Sequence, residues 1–199
     1  GMMKQIQFLP WVGRDYVRGI NGKHVMVLGE SHYCANYEEA VPGITQDVIS
    51  GYIDSSNDFE GWMNTYTKFI RALSGKEISR EASEEWWEHI LFYNYVQVPM
   101  TGPRTAPTEQ EFRDSDDAFF KILETYVPDK VIAWGQRLYG ELPDRGHRGK
   151  DIIAPDGQQI ETWVYLLKNG HSVEVLGICH PSAGFAWDYW HEVIASFLK

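Results

Sequence analysis

Short apolar runs recur along this chain, and several end abruptly in glycine or in a cluster of polar residues. His24 to Leu28 is made largely of β-branched, Met and Leu residues and stops at Gly29, Leu91 to Val98 carries Asn94, and Lys130 to Trp134 stops at Gly135. Trp163 to Lys168 and His171 to Ile178 flank Asn169-Gly170, the dipeptide of a tight β-hairpin turn, and the second run empties into Cys179-His180-Pro181-Ser182. These runs read as buried strands.

Between them the apolar residues follow helical spacing. Phe59, Trp62, Met63, Tyr66, Phe69, Ile70 and Leu73 share a face, with Asn57 or Asp58 as cap and Gly75 beyond the end. Ser83 opens a short helix through Trp86, Trp87 and Ile90. Thr108 and Glu111 form a capping box for a helix whose inner face is Phe112, Phe119, Phe120, Leu123 and Tyr126, and which Pro128 ends. A short helix reaches about Leu142, and a closing helix runs from Ala186 or Trp187 to Lys199. Cys34 to Ser56 shows no convincing period and reads as a long loop or insertion, as does Pro143 to Gly157. Strands alternating with helices predict an α/β fold: a three-layer α/β/α sandwich around a central, mostly parallel sheet, in one domain over residues 2–199.

Composition narrows the picture. With 199 residues, 43% of them hydrophobic, the chain is long enough to close a sizeable core. It contains no apolar stretch of about 18 residues, so no membrane partner is expected and a cytoplasmic location is the default. Two cysteines are too few for a disulfide framework or a four-thiolate cluster. A net charge of −10 argues against broad nonspecific nucleic-acid binding, which depends on phosphate neutralisation.

In α/β proteins the carboxyl ends of parallel strands build ligand sites. The candidate chemistry sits at such ends: Glu30, Ser31, His32 and Tyr33 after the first run, Asn94 in the second, and His180 and Ser182 after the last. Mixed ligands such as Cys34, Glu30, His32, Cys179 and His180 follow no zinc spacing, and no metal or other cofactor is expected.

The order of these features resembles the uracil-DNA glycosylase superfamily, particularly its single-domain bacterial and archaeal branches. Gly29-Glu30-Ser31-His32-Tyr33 is similar to the family's first motif and His180-Pro181-Ser182 to its second. Between them, Asn94 to Pro99, Gly102 to Thr108 and Pro128 to Gly135 follow the family's order of a strand asparagine, a proline-glycine loop, a helix and a strand ending in glycine. The cysteines of the iron-sulfur branch are absent, Gln97 and Val98 standing near Asn94 instead. Ser31 stands where the strongest members carry aspartate, and His32 replaces the usual proline.

The resemblance implies hydrolysis of the N-glycosidic bond of uracil or another damaged base in DNA, after the base has left the stack. Glu30 would hold water or stabilise positive charge on the sugar, and His180 would donate to the oxyanion developing on the base. Asn94 would read the base edge, with Tyr33 walling the pocket against a 5-methyl group and Ser31 beside it. Ser182, Thr101 and Arg104 would contact phosphates and Phe185 would wedge into the vacated stack, while Phe59 and Trp62 are candidates for the stacking aromatic. The expected partner is uracil-containing or damaged DNA, or a free nucleobase or nucleotide, met by a monomer. Two alternatives stay open: a member of the same fold that binds a nucleobase or nucleic acid with little or no cleavage, and a hydrolase or transferase acting on a small non-DNA substrate. A basic groove through Arg104, Arg145, Arg148 and Lys150 would favour DNA, and an acidic rim a small ligand.

Overall fold

A computed structural model describes residues 6–102, 105–182 and 184–199. In chain order the elements are β1 (Trp11–Val12), β2 (Val25–Gly29), α1 (Ile44–Ile53), α2 (Met63–Ser74), α3 (Glu84–Trp87), β3 (Leu91–Asn94), α4 (Glu109–Asp114), α5 (Asp116–Tyr126), β4 (Lys130–Trp134), α6 (Gln136–Glu141), β5 (His147–Arg148), β6 (Ile152–Ile153), β7 (Gln159–Ile160), β8 (Thr162–Leu166), β9 (Ser172–Ile178) and α7 (Trp187–Phe197). A seven-stranded sheet has the order β1-β3-β2-β4-β9-β8-β5, and β6 and β7 form a separate antiparallel pair.

The sheet is mixed in a regular way. Its centre, β3-β2-β4-β9, is parallel throughout, whereas β1, β8 and β5 join antiparallel at the edges. Of these, β3, β2 and β4 are fully covered and β9 is covered from Val175 on, as parallel strands with helices on both faces are. Period-two alternation divides their side chains between two cores. Val25, Val27, Phe92, Ile132, Leu176 and Ile178 pack with residues of α1, α2 and α7. Met26, Leu28, Leu91, Tyr93, Val131, Ala133 and Val175 pack with residues of α5 and α6 on the other face.

Several local signals act as the sequence predicts. The Thr108–Glu111 capping box is formed, Gly75 ends α2 in the left-handed conformation, and β8 and β9 pair across the Asn169-Gly170 turn. Others differ. The stretch read as loop from Cys34 to Ser56 contains α1, which buries Thr45, Ile49 and Tyr52. Pro143 to Gly157, also read as loop, contains β5 and β6. The helix after Thr108 breaks at Ser115, whose hydroxyl donates to Glu111 O (2.9 Å) and accepts the Gln97 N–H (3.1 Å). The strand read from Leu91 to Val98 is regular only to Asn94; Tyr95 and Val96 still donate to Gly29 O and Glu30 O, and Gln97 then donates to the carbonyls of Asn94 and Tyr95 and accepts from the amides of Gln7 and Phe8. No helix among the described residues is long and apolar enough to cross a membrane.

Candidate functional site

Because β3, β2, β4 and β9 run parallel, their carboxyl ends open at one edge of the molecule. The first of them in the chain, β2, lies between β3 and β4, so the strand order reverses there and leaves a crevice. A cavity of about 610 Å³ occupies that edge, lined by Glu30, Ser31, His32, Tyr33, Asn94 and His180 among others. Residues far apart in the chain therefore meet, in a volume typical of small-ligand sites.

Strand register brings them together. Gly29 lies opposite Asn94 in the parallel ladder, and the chain beyond continues the pairing through Tyr95 N–H to Gly29 O, Val96 N–H to Glu30 O and Met100 N–H to His32 O, at 2.8 to 2.9 Å. A Cβ at Gly29 would collide with the Asn94 amide oxygen and stand 3.0 Å from the Phe92 ring, so glycine there makes room for the asparagine. Gly135 closes β4 with φ +103, a value that favours glycine, and its Cα faces the His180 side chain.

Glu30 is held by the Arg137 fork in a bidentate pair, Nε to Oε2 at 2.8 Å and Nη2 to Oε1 at 2.6 Å. The carboxylate side chain is 14% exposed and that of Arg137 61%, so the pair faces water through the arginine. The link raises the already high guanidinium pKa, through the hydrogen bond first. His180 Nδ1 accepts the Ser182 N–H (3.2 Å) and lies 2.8 Å from the Ser182 hydroxyl, an arrangement that leaves the ring proton on Nε2. Burial lowers the His180 pKa; Glu30 opposes that shift and Arg137 adds to it. The imidazole is therefore a neutral donor near pH 7.

Asn94 is almost fully buried, and its Nδ2 donates to His32 Nε2 at 2.9 Å. The same nitrogen lies 2.7 Å from Thr45 Oγ1. Burial lowers the His32 pKa to about 4, so this ring too is neutral near pH 7.

The remaining wall is aromatic: Trp62, Tyr66, Phe92 and Trp134 line the cavity. Tyr66 stands edge-on to Trp62 and to Trp134, both at 5.4 Å, and Phe92 meets Trp134 at 5.0 Å. Planar rings facing hydrogen-bonding groups across a cavity suit a flat, polar-edged ligand.

The other sequence candidates lie elsewhere or do something different. Tyr33 is at the rim and 58% exposed. Phe185 is buried with its ring stacked on Trp190 (6.4 Å, 4° between planes), a packing position and not a projecting wedge. The Ser182 hydroxyl is turned to His180, and its carbonyl meets Lys68 Nζ at 3.5 Å. Thr101 is exposed and outside the cavity lining, Phe59 likewise, and Arg104 falls outside the described residues. Cys34 is buried and Cys179 partly so; among the described residues no three His, Cys, Asp or Glu side chains are grouped to hold a metal ion.

Sequence reasoning missed Arg137, Thr45 and the walls Phe92 and Trp134. The walls had a signal: period-two alternation puts Phe92 on the face of Asn94. Arg137 and Thr45 had none, since each meets its partner only through the fold. A larger hollow, about 850 Å³, lies between residues 14–22 and 81–89, but Arg14, Asp15, Arg18, Glu81, Glu84 and Glu85 line it with mixed charge and no aromatic wall except His89.

The fold and site define an α/β protein with a ligand crevice at the carboxyl ends of its parallel strands. Neither a protein-family model nor a curated protein matches the chain.

Proposed function

We propose that this chain hydrolyses the N-glycosidic bond of uracil or a related damaged base in DNA, with the target nucleotide turned out of the stack into the cavity. The observation that carries the reading is the convergence of Glu30, Asn94 and His180 on one aromatic-walled cavity. The resemblance of the surrounding motifs to uracil-DNA glycosylases supplies the reaction.

In this mechanism the base slides against the Phe92 and Trp134 wall and pairs its edge with the Asn94 amide. His180, neutral and carrying its proton on Nε2, donates to the base oxygen as the glycosidic bond breaks and negative charge gathers there. A donor fixed in advance at a developing oxyanion contributes about 10²- to 10³-fold in rate. The Glu30 carboxylate, oriented by Arg137, stabilises the cationic sugar and orients the water that attacks it.

A second reading has its own support. Arg148 is engaged by Asp151 (2.9 Å) and lies 3.9 Å from Glu161, and Arg145 sits over the Phe120 ring at 4.4 Å. Both belong to the β5–β8 side of the sheet, away from the cavity lining, and with a net charge of −10 this favours a protein that takes a nucleobase or nucleotide and cleaves slowly or not at all.

Base release from a uracil-containing oligonucleotide, single-stranded and paired with guanine, tests both. Release by the wild-type protein that falls about 100-fold or more in Glu30→Ala and in His180→Ala supports the glycosylase. Absence of release on uracil and on a panel of damaged bases, with uracil still bound, transfers the site to the second reading.

A further inference from the structure

We propose that His32 fixes the sense in which the Asn94 amide is presented to the cavity, and thereby sets a preference for an imide base such as uracil over its amino counterpart cytosine. This deepens the reading of the cavity as a nucleobase site and rests on it.

The two ends of an asparagine amide have nearly the same shape and opposite hydrogen-bonding character, so an unheld amide reads either base by turning over. Here it is held. His32 Nε2 accepts from Asn94 Nδ2 at 2.9 Å, and a nitrogen in that role cannot carry a proton. Thr45 Oγ1 lies 2.7 Å from the same nitrogen, and in that tautomer its hydroxyl shares the single ring lone pair with the Asn94 N–H. The ring is only 6% exposed, with Phe8 against it in an edge contact at 5.2 Å, so it has little room to turn. On the other side, the amide oxygen fills the space that a Gly29 side chain would occupy.

With one N–H committed to His32, Asn94 offers the cavity its second N–H and its oxygen in a fixed order. Uracil presents O4 and N3–H, an acceptor then a donor, whereas cytosine presents the reverse at the same positions. A base kept in one orientation by His180 and the aromatic wall thus matches in one form and is mismatched in the other. The motif position involved is the one where the resembling family carries proline, which has no side-chain acceptor to offer, so this means of holding the amide is a property of this chain's own sequence.

The test is titration of the full chain with free uracil and free cytosine, followed through the indole N–H signals of Trp62 and Trp134, together with side-chain ¹⁵N NMR of His32. The wild-type protein is expected to bind uracil about tenfold or more tighter than cytosine, the discrimination of a bidentate base contact, and to show an unprotonated Nε2 on His32 at neutral pH. His32→Gln can offer Asn94 either an oxygen or an NH2 group and is expected to bring the two affinities within about threefold. Thr45→Val keeps the shape of the side chain, removes the hydroxyl beside His32 and is expected to lower the ratio several-fold.

A uracil preference unchanged in both variants, or a protonated Nε2, overturns the role of His32 and leaves the nucleobase reading standing. A wild-type protein that takes up neither base removes that reading and this inference together.

Discussion

The parallel centre of the sheet and its antiparallel side carry similar side chains and put them to different use. Along β8 and β5, cavities of about 350 and 480 Å³ are lined by arginines, carboxylates, tyrosines and a tryptophan. There the charges satisfy each other: Arg148 with Asp151, Arg113 with Asp116 at 3.2 Å, and the Tyr139 hydroxyl with Glu161 at 2.9 Å. At the carboxyl ends of β2, β3, β4 and β9 the polar groups are instead held by partners behind them, with Ser182 behind His180, His32 behind Asn94 and Arg137 beside Glu30. Parallel strands end together and deliver their next residues to one place; antiparallel strands alternate their ends and scatter them. The difference makes the first region a candidate site and the second a charged surface, and it can be broken by experiment.

The largest stability effect is expected from the buried support of Asn94. The folded-state pKa of His32, about 4, lies below the ordinary value of 6.5. Between those values the unfolded chain takes up a proton that the folded chain refuses. The contribution of His32 is therefore complete above pH 6.5 and is lost as the pH falls toward 4, amounting to about 3 kcal/mol. Urea denaturation of wild-type and His32→Gln protein at pH 7 and pH 4.5 checks it: the wild-type protein should lose more stability over that interval than the variant. Parallel losses would show that His32 is not the group refusing the proton.

Next is the close approach of β2 and β3. Gly29→Ala drives a methyl group into the Asn94 amide and against Phe92, an overpacking that costs about 1–3 kcal/mol and displaces the base-reading edge. Calorimetry should show the stability loss and titration the loss of uracil binding. If the variant binds uracil with wild-type affinity, Asn94 is not the reader.

The same contrast explains how much could be read from the chain. Parallel strands buried on both faces leave continuous apolar runs with sharp ends, so β2, β4 and β9, and the polar residues that follow them, were legible. The capping box at Thr108 and the Asn169-Gly170 turn act through neighbours in sequence and were legible too. What failed depended on distant partners. Helix α1 is ten residues long, carries Gly51 and buries a threonine among its apolar positions, and it stands by packing against the sheet. After Val96, Gln97 replaces strand pairing with side-chain hydrogen bonds to residues 7 and 8. The roles expected for Phe185 and Ser182 rest on motif position, and in the fold they meet near neighbours in sequence, Phe185 stacking on Trp190 and the Ser182 hydroxyl facing His180.

A smaller effect should come from the rim of the cavity. Trp62 is 41% exposed and stands edge-on to Tyr66, so Trp62→Ala removes stacking surface without opening the core. Uracil affinity should fall by about tenfold, the low end of base–aromatic stacking at about 1–3 kcal/mol, while unfolding free energy changes by about 1 kcal/mol or less. A variant that unfolds early and binds normally would make Trp62 a packing residue.

The smallest effect belongs to the antiparallel side. Arg148 is an exposed residue on the two-residue strand β5, paired with Asp151 on the surface, and exposed ion pairs gain little because water and salt screen them. Arg148→Ala should leave the denaturation midpoint within the scatter of replicate measurements. It should also leave uracil binding and base release unchanged, because none of the cavity-lining residues contacts it. A duplex substrate adds a sharper condition. If Arg148→Ala weakens binding of a long uracil-containing duplex while sparing the free base, the β5–β8 side carries DNA after all, the ion pair with Asp151 opens for phosphate, and the division between a binding end and a merely charged side does not hold.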